Sequence, residues 1–375
     1  MRRASWSLAA LLCVSCVHRF PGPGQVPAAQ EYRSLADGGA SALSNRVLAA
    51  GRGQGLVHDA RLDEVARVLA EDYRLWHEVP PATYLRWLLR RHGIAAGYHR
   101  LWAGWVTGSN QRVMRLDEML EEELAKVKDL GGKSFGIARA SGPTPTAQVL
   151  LLADSRLVLE PIPRQPKPGE VITLKGTVAG VHDGAVQVYA PGEREPRLAL
   201  VDQRGAWEPQ QLTVPSTPGR YWLELRFSED KGPTMLVPLL VGGVEDVPLE
   251  VGSTPAELEV AARAWAQQVR AQAGLAPLES DPAADAIVRR RAELRAESPA
   301  DSEAALRAAG YLVVNWKYKA RDGEHGNSEA LAAIDRPSEA AFLLKADVQG
   351  LAVGASRVGD SWWLVLETLG PKQVR

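Results

Sequence analysis

Apolar positions follow two different rhythms along this chain, and the change between them divides it. Leu62, Val65, Ala66, Leu69 and Ala70 recur at helical spacing, as do Leu258, Ala261, Ala262, Trp265 and Val269 and then Ala284, Ile287, Val288, Ala292 and Leu294. Each set lays an apolar stripe along one face of a helix. After Pro80-Pro81, the run Tyr84, Leu85, Trp87, Leu88 and Leu89 makes another strongly apolar helix, which His92-Gly93 ends. From Leu157 to Leu239 the period shortens to two. Val178, Val186, Val188, Leu198, Leu200, Leu212, Val214, Leu223, Leu225 and Val237 fall in short runs punctuated by Pro-Gly, Asp-Gly and Arg-Gly, which predicts an antiparallel sandwich. Two stretches outside it also read as strand pairs, Ser134 to Ala138 with Gln148 to Leu152, and Leu351 to Gly354 with Trp362 to Leu366. In each, a glycine-bearing strand precedes an apolar one.

The pattern predicts an α+β multidomain chain, with helices closing in strands on either side of an all-β sandwich. Boundaries fall at residues 31–154, 155–250 and 251–375. A length of 375 residues suits two or three domains of roughly 100–200 residues each. The formal charge of -1 gives no electrostatic basis for binding nucleic acid. The stretch Ala273 to Pro282, AGLAPLESDP, joins two helical patterns. Asp281 before Pro282 predicts a helix start, because the carboxylate accepts orphan amide hydrogens and proline fits the first turn.

Residues 1–15 read as a signal peptide, with Arg2 and Arg3 before the short apolar run Leu8 to Val14. That run is too short to span a bilayer. Both cysteines, Cys13 and Cys16, lie in or beside it, so the domains that follow have no disulfide or thiolate metal chemistry. Val14-Ser15-Cys16 resembles the lipobox of bacterial lipoproteins, although Cys13 stands where that motif usually has Leu. The resemblance implies a lipid on Cys16 as the membrane anchor rather than a transmembrane helix, and Val17 implies outer-membrane sorting. An ordinary signal peptide cut elsewhere is the other reading. Residues 16–30, rich in Pro and Gly, form a tether that lets a domain stand off a surface.

The order AQAGLAPLESDPAADAIVRRRAELRAE, then Gly310-Tyr311, SEALAA, PSEAAFLLKADVQGLAVGAS and WWLVLETL resembles the bacterial CAP superfamily of cysteine-rich secretory, antigen 5 and pathogenesis-related proteins. HDARLDEVARVLAEDY, GIAAGYHRLWAG, KSFGIARA and AQVLLLAD resemble the same plan more loosely. The resemblance implies two α-β-α sandwich domains flanking an immunoglobulin-like sandwich, in which PGRYWLEL resembles a tyrosine-corner strand.

The family's cleft is lined by two His and two acidic residues, which could bind a divalent metal or polarise a water. Carried over, His77 stands at the first His, His99 near the acidic position and Glu123 at the second His of the first copy. In the second copy Glu329 keeps the acidic place, Glu339 occupies the second His place and the first His is missing. His325, four residues before Glu329, could share an ion with it if a helix begins there. Trp76, Trp87, Trp102 and Trp105 read either as core or as a groove that stacks sugar or lipid. No HExxH, CxxC or Gly-x-Ser-x-Gly motif occurs. The incomplete His/Glu sets point to a non-enzymatic envelope lipoprotein that requires no cofactor. Its expected partners are a cell-wall glycan, a lipid or an envelope protein. The rival is a hydrolase or metal-dependent enzyme using His77, His99 and Glu123.

Overall fold

The computed structural model describes residues 28–33, 41–51, 55–77, 82–107, 110–127, 130–142, 145–180, 184–190, 195–216, 221–227, 235–242, 253–322, 326–335 and 337–371. Within those stretches the side chains of Trp76, Tyr98, His99, Tyr221 and Trp222, among others, are outside the description. The signal segment, Cys16, most of the tether and His325 also lie outside the described residues.

The first part runs β1 (Glu31–Tyr32), α1 (Ala42–Ala50), β2 (Val57–His58), α2 (Ala60–Trp76), α3 (Ala82–Arg91), β3 (Gly97–Val106), α4 (Asn110–Ala125), β4 (Lys133–Ala140) and β5 (Thr146–Asp154). Four of its strands form a sheet in the order β2-β4-β5-β3, with β2 parallel to β4 and the other pairs antiparallel. Side chains alternate between the two sheet faces. Val149, Leu151 and Ala153 of β5 pack with the apolar stripe of α2 and with Tyr84, Trp87 and Leu88 of α3. Leu150 and Leu152 point the other way, into a core with Val47 of α1 and Leu120 and Leu124 of α4. Helices therefore cover both faces. Gly136 allows the close approach of α2, since a Cβ there would lie 2.1 Å from the carbonyl carbon of Leu62.

The middle part comprises β6 (Leu157–Leu159), β7 (Ile162–Pro163), β8 (Val171–Leu174), β9 (Gly176–Val178), β10 (Ala185–Tyr189), β11 (Arg197–Leu200), β12 (Gln210–Thr213), β13 (Tyr221–Phe227) and β14 (Met235–Val241). A four-stranded antiparallel sheet, β11-β10-β13-β14, shares one core with the pairs β12-β8 and β6-β9. The predicted period of two is visible in the burial: Val186 and Val188, then Leu223 and Leu225, all face inward.

The last part consists of α5 (Pro255–Gln272), α6 (Pro282–Leu294), α7 (Ala300–Ala308), β15 (Val313–Asp322), α8 (Gly326–Ile334), α9 (Pro337–Ala340), a 3-10 turn (Ala341–Leu344), β16 (Gly350–Val358) and β17 (Ser361–Leu369). Its sheet, β15-β17-β16, again carries helices on both faces. Leu351, Val353, Leu364 and Leu366 pack with α5 and α8, whereas Ala352, Val365 and Leu369 pack with α6 and α7.

The outer parts agree in local geometry as well as in layering. Asp59 and Asp281 cap α2 and α6, accepting from Arg61 N at 2.8 Å and Ala283 N at 2.9 Å. One turn further on, Asp63 accepts the amide of Ile137 in β4 at 2.7 Å, and Asp285 accepts the amide of Val353 in β16 at 3.0 Å. Just before each helix a parallel bridge forms, Val57 to Ser134 in the first part and Glu279 to Gly350 in the last. The third strand bulges at the same register in both, between Tyr98 and Arg100 and between Val313 and Asn315. The unbroken α4 of the first part is replaced by the shorter α8, α9 and 3-10 turn.

Among the described residues, hydrogen bonds tie the parts together at two seams, and α3 also lies against α8. At the first, β1 pairs with β7 and Tyr32 is fully buried in the sandwich core. The backbone of this strap also bonds to the first part, Ala29 N to Arg91 O at 2.9 Å and Arg33 N to Gly93 O at 2.8 Å. Gly93 has φ +66°, and a Cβ there would stand 2.3 Å from Glu31 O. Only glycine fits. At the second seam, the fully buried Glu224 of β13 accepts from Ser338 Oγ at 2.6 Å and Ser338 N at 3.1 Å in α9.

Candidate functional site

A shallow recess in the first part lies between α4 and the sheet. Trp102, Leu124, Val127, Leu150 and Leu152 line it, with Arg100 and Glu123 among its walls; the space between them, open solvent included, is about 210 Å³, with room inside for about one water. Its body is apolar. Glu123 accepts from Arg100 at 3.0 Å and also from Lys126. The Lys126 hydrogen bond, aided by the charges of Lys126 and Arg100, holds Glu123 below the usual carboxylate range. A carboxylate so stabilised is an ion-pairing group rather than a proton donor near neutral pH.

His77 sits elsewhere. It is the left-handed C-cap of α2, with φ 60°, and its ring meets Trp105 edge-on with centroids 4.4 Å apart. Trp105 shares a sheet face with Leu101 and Ala103, which pack on the α2 side, while Trp102 packs on the α4 side. His77 and Glu123 therefore stand against opposite faces of one sheet. The five residue steps along β3 from Arg100 to Trp105 add roughly 16 Å along the strand. The helix and strand spacing placed each residue, but a shared cleft needs both on one face, and alternation along β3 prevents that. His99 occupies the bulge of β3, the register position of Val314 in β15 rather than of Glu329, which lies on the next helix. Its side chain is outside the description.

In the last part Glu339 forms ion pairs with Lys317 at 3.2 Å and Lys319 at 3.3 Å, both on β15. Burial pushes its carboxyl up, but the two lysines outweigh burial and hold it below the usual range. Glu329 is half-buried in the first turn of α8. Among the described residues, no group of three His, Cys, Asp or Glu side chains lies close enough to hold a metal ion.

Other polar groups become visible only in three dimensions. Arg291 of α6 pairs with Glu367 of β17 at 2.8 Å, both buried, and Ser302 of α7 donates to the same carboxylate oxygen. Ten residues past each N-cap, Leu69 stands where Arg291 does, and in the hairpins Leu151 stands where Glu367 does. An apolar pair in one part is thus an ion pair in the other. Asp72 of α2 accepts from Tyr84 of α3 at 3.0 Å, and burial pushes its carboxyl up to about 6. The tryptophans disperse: Trp87 is fully buried against Tyr84, Trp102 is half-buried and Trp105 is 40% exposed. The alternation Trp316-Lys317-Tyr318-Lys319 in β15 was the signal that could have found Glu339's partners.

No protein-family model matches this chain, and no curated protein does. Among solved structures, a cysteine-rich secretory protein from Staphylococcus aureus subsp. aureus Mu50 is similar at 10% identity and a TM-score of 0.25, over 57% of this chain and 79% of that one.

Proposed function

We propose that the chain is an exported, lipid-anchored envelope protein in which two CAP-like units flank an immunoglobulin-like sandwich, and that it binds rather than catalyses. The CAP-like reading is supported by the motif order in the sequence together with the element order, capping aspartates and bulge that the outer parts share. One observation carries the non-enzymatic reading. His77 and Glu123 flank opposite faces of a sheet, whereas hydrogen-bonded catalytic partners lie within about 3 Å. Glu123, held ionised by Lys126 and Arg100, instead edges a shallow apolar recess between α4 and the sheet.

The test uses the full chain and its mature form. Cys16→Ser is expected to abolish lipid labelling and release the protein from the membrane fraction, and the mature protein is expected to be retained by peptidoglycan sacculi, anionic lipid vesicles or envelope protein. Retention by none of the three would overturn the binding reading. A stoichiometric divalent ion in the purified protein, accompanied by an activity lost in His77→Ala, would replace it with the enzymatic one.

A further inference from the structure

The two seams are built differently. At the first, the chain runs through both partners: β1 pairs with a strand of the sandwich, and Tyr32 is fully buried in the sandwich core. The Arg164 guanidinium adds hydrogen bonds to Ala29 O at 2.9 Å and Arg91 O at 3.4 Å. First part and sandwich cannot separate there without breaking a strand pair and exposing a core tyrosine. At the second seam no strand pairing crosses among the described residues. α9 rests on β13, and both oxygens of one carboxylate take the hydrogen bonds, Glu224 Oε1 from Ser338 Oγ at 2.6 Å and Oε2 from Ser338 N at 3.1 Å.

That carboxylate stands on the outer face of its sheet. Leu223 and Leu225 of β13 point into the sandwich core, so Glu224 and Arg226 point away from it, as do Gln187 and Tyr189 of β10. Across the strands, Tyr189 faces Glu224 and Gln187 faces Arg226. Such residues make a solvated sheet surface, yet Glu224 is 0% exposed. On the same face Gln187 Oε1 and Arg226 Nε are buried without a hydrogen-bond partner. Water reaching an opened face would satisfy both, so the closed arrangement depends on what Glu224 contributes. Polar contacts of this kind between domains permit relative motion, whereas large apolar ones prevent it.

α9 links the two parts through consecutive residues. Ser338 holds the sandwich, while Glu339 pairs with Lys317 at 3.2 Å and Lys319 at 3.3 Å in the sheet of the last part. We propose that Glu224 and Ser338 form a latch, and that the last part swings off the sandwich as one body when it opens, while the strap keeps the first part and the sandwich together. α9 leaves with the last part because Glu339 stays on its lysines. The contact of α8 with α3 is released in the same movement. The latch therefore controls how far apart the two outer parts stand.

The experiment places pairs of spin labels on the full chain. Cys13→Ser and Cys16→Ser remove both cysteines, which leaves a parent free of thiols. Thr173→Cys in the sandwich with Arg290→Cys on α6 reports the second seam, and Thr173→Cys with Glu64→Cys on α2 reports the first; all three positions are exposed. Pulsed electron–electron resonance should give one narrow distance for each pair in the parent. Glu224→Ala is expected to raise the population at longer distances across the second seam tenfold or more, with the first-seam distance unchanged. Ser338→Ala keeps the backbone donor and is expected to produce a smaller rise at the same seam. A second-seam distance as narrow in both variants as in the parent would overturn the latch. Should Glu224→Ala broaden both distances through misfolding, Ser338→Ala decides: a rise at the second seam alone supports the latch, and no rise overturns it.

Discussion

At the scale of single residues, the sequence makes caps visible and hides partnerships across the fold. Asp281 before Pro282 is legible as a helix start because its hydrogen bond to Ala283 N is local. Asp72 reads as one more acid on a helix, and only the packing of α3 over α2 buries it beside Tyr84. Its carboxyl rises from 3.8 to about 6, with burial as the main cause. The protonated form is therefore favoured on folding. This contribution is fully present below pH 3.8 and is lost as pH rises through about 6. Asp72→Asn keeps an acceptor for Tyr84 and removes the ionisation, so the variant should gain on the order of 1–2 kcal/mol over the wild type between pH 4 and pH 8. Urea melts across that range would show it, and parallel pH profiles for the two proteins would count against it.

At the scale of elements, helices and hairpins with a continuous apolar stripe could be read directly, and the third strand of each outer sheet could not. β3 and β15 alternate large or charged residues on both faces, so neither shows the one-sided pattern that identifies a buried strand. Their equivalence emerges from a bulge at one register, which leaves no trace in composition. The matched helices α2 and α6 supply a direct comparison, since Leu69 with Leu151 and Arg291 with Glu367 occupy the same two places. Glu367→Ala would leave the Arg291 guanidinium buried and uncompensated, a loss of about 3–5 kcal/mol. Replacing both by leucine should restore the apolar pair of the first part and leave stability within about 1 kcal/mol of the wild type, or above it. Chemical denaturation of the two variants decides the matter, and a double variant as unstable as the single would show that the ion pair is required by its surroundings.

At the scale of the whole molecule, the change of hydrophobic period was legible: the described helices lie before residue 157 and after residue 241, and the stretch between holds strands. The seams were not, since they depend on backbone groups and on single side chains such as Glu224 that look like any strand-surface acid in sequence. The strap at residues 29–33 is the plainest case: it looks like the end of a tether and is a strand of the sandwich. Tyr32 is its one buried side chain, with Arg164 over its ring at 5.4 Å. Tyr32→Ala should cost roughly 3–5 kcal/mol, as for other large aromatic truncations, and should open the chain to limited proteolysis near residue 33 before either flanking core unfolds. Simultaneous loss of all parts in a single cleavage step would argue against it. Were the chain anchored at Cys16 as proposed, the strap would also be where mechanical load arrives. Its hydrogen bonds run from Ala29 and Arg33 to Arg91 and Gly93 on one side and from β1 to β7 on the other. Tension at the anchor would then be divided between the first part and the sandwich at the point where the chain enters them.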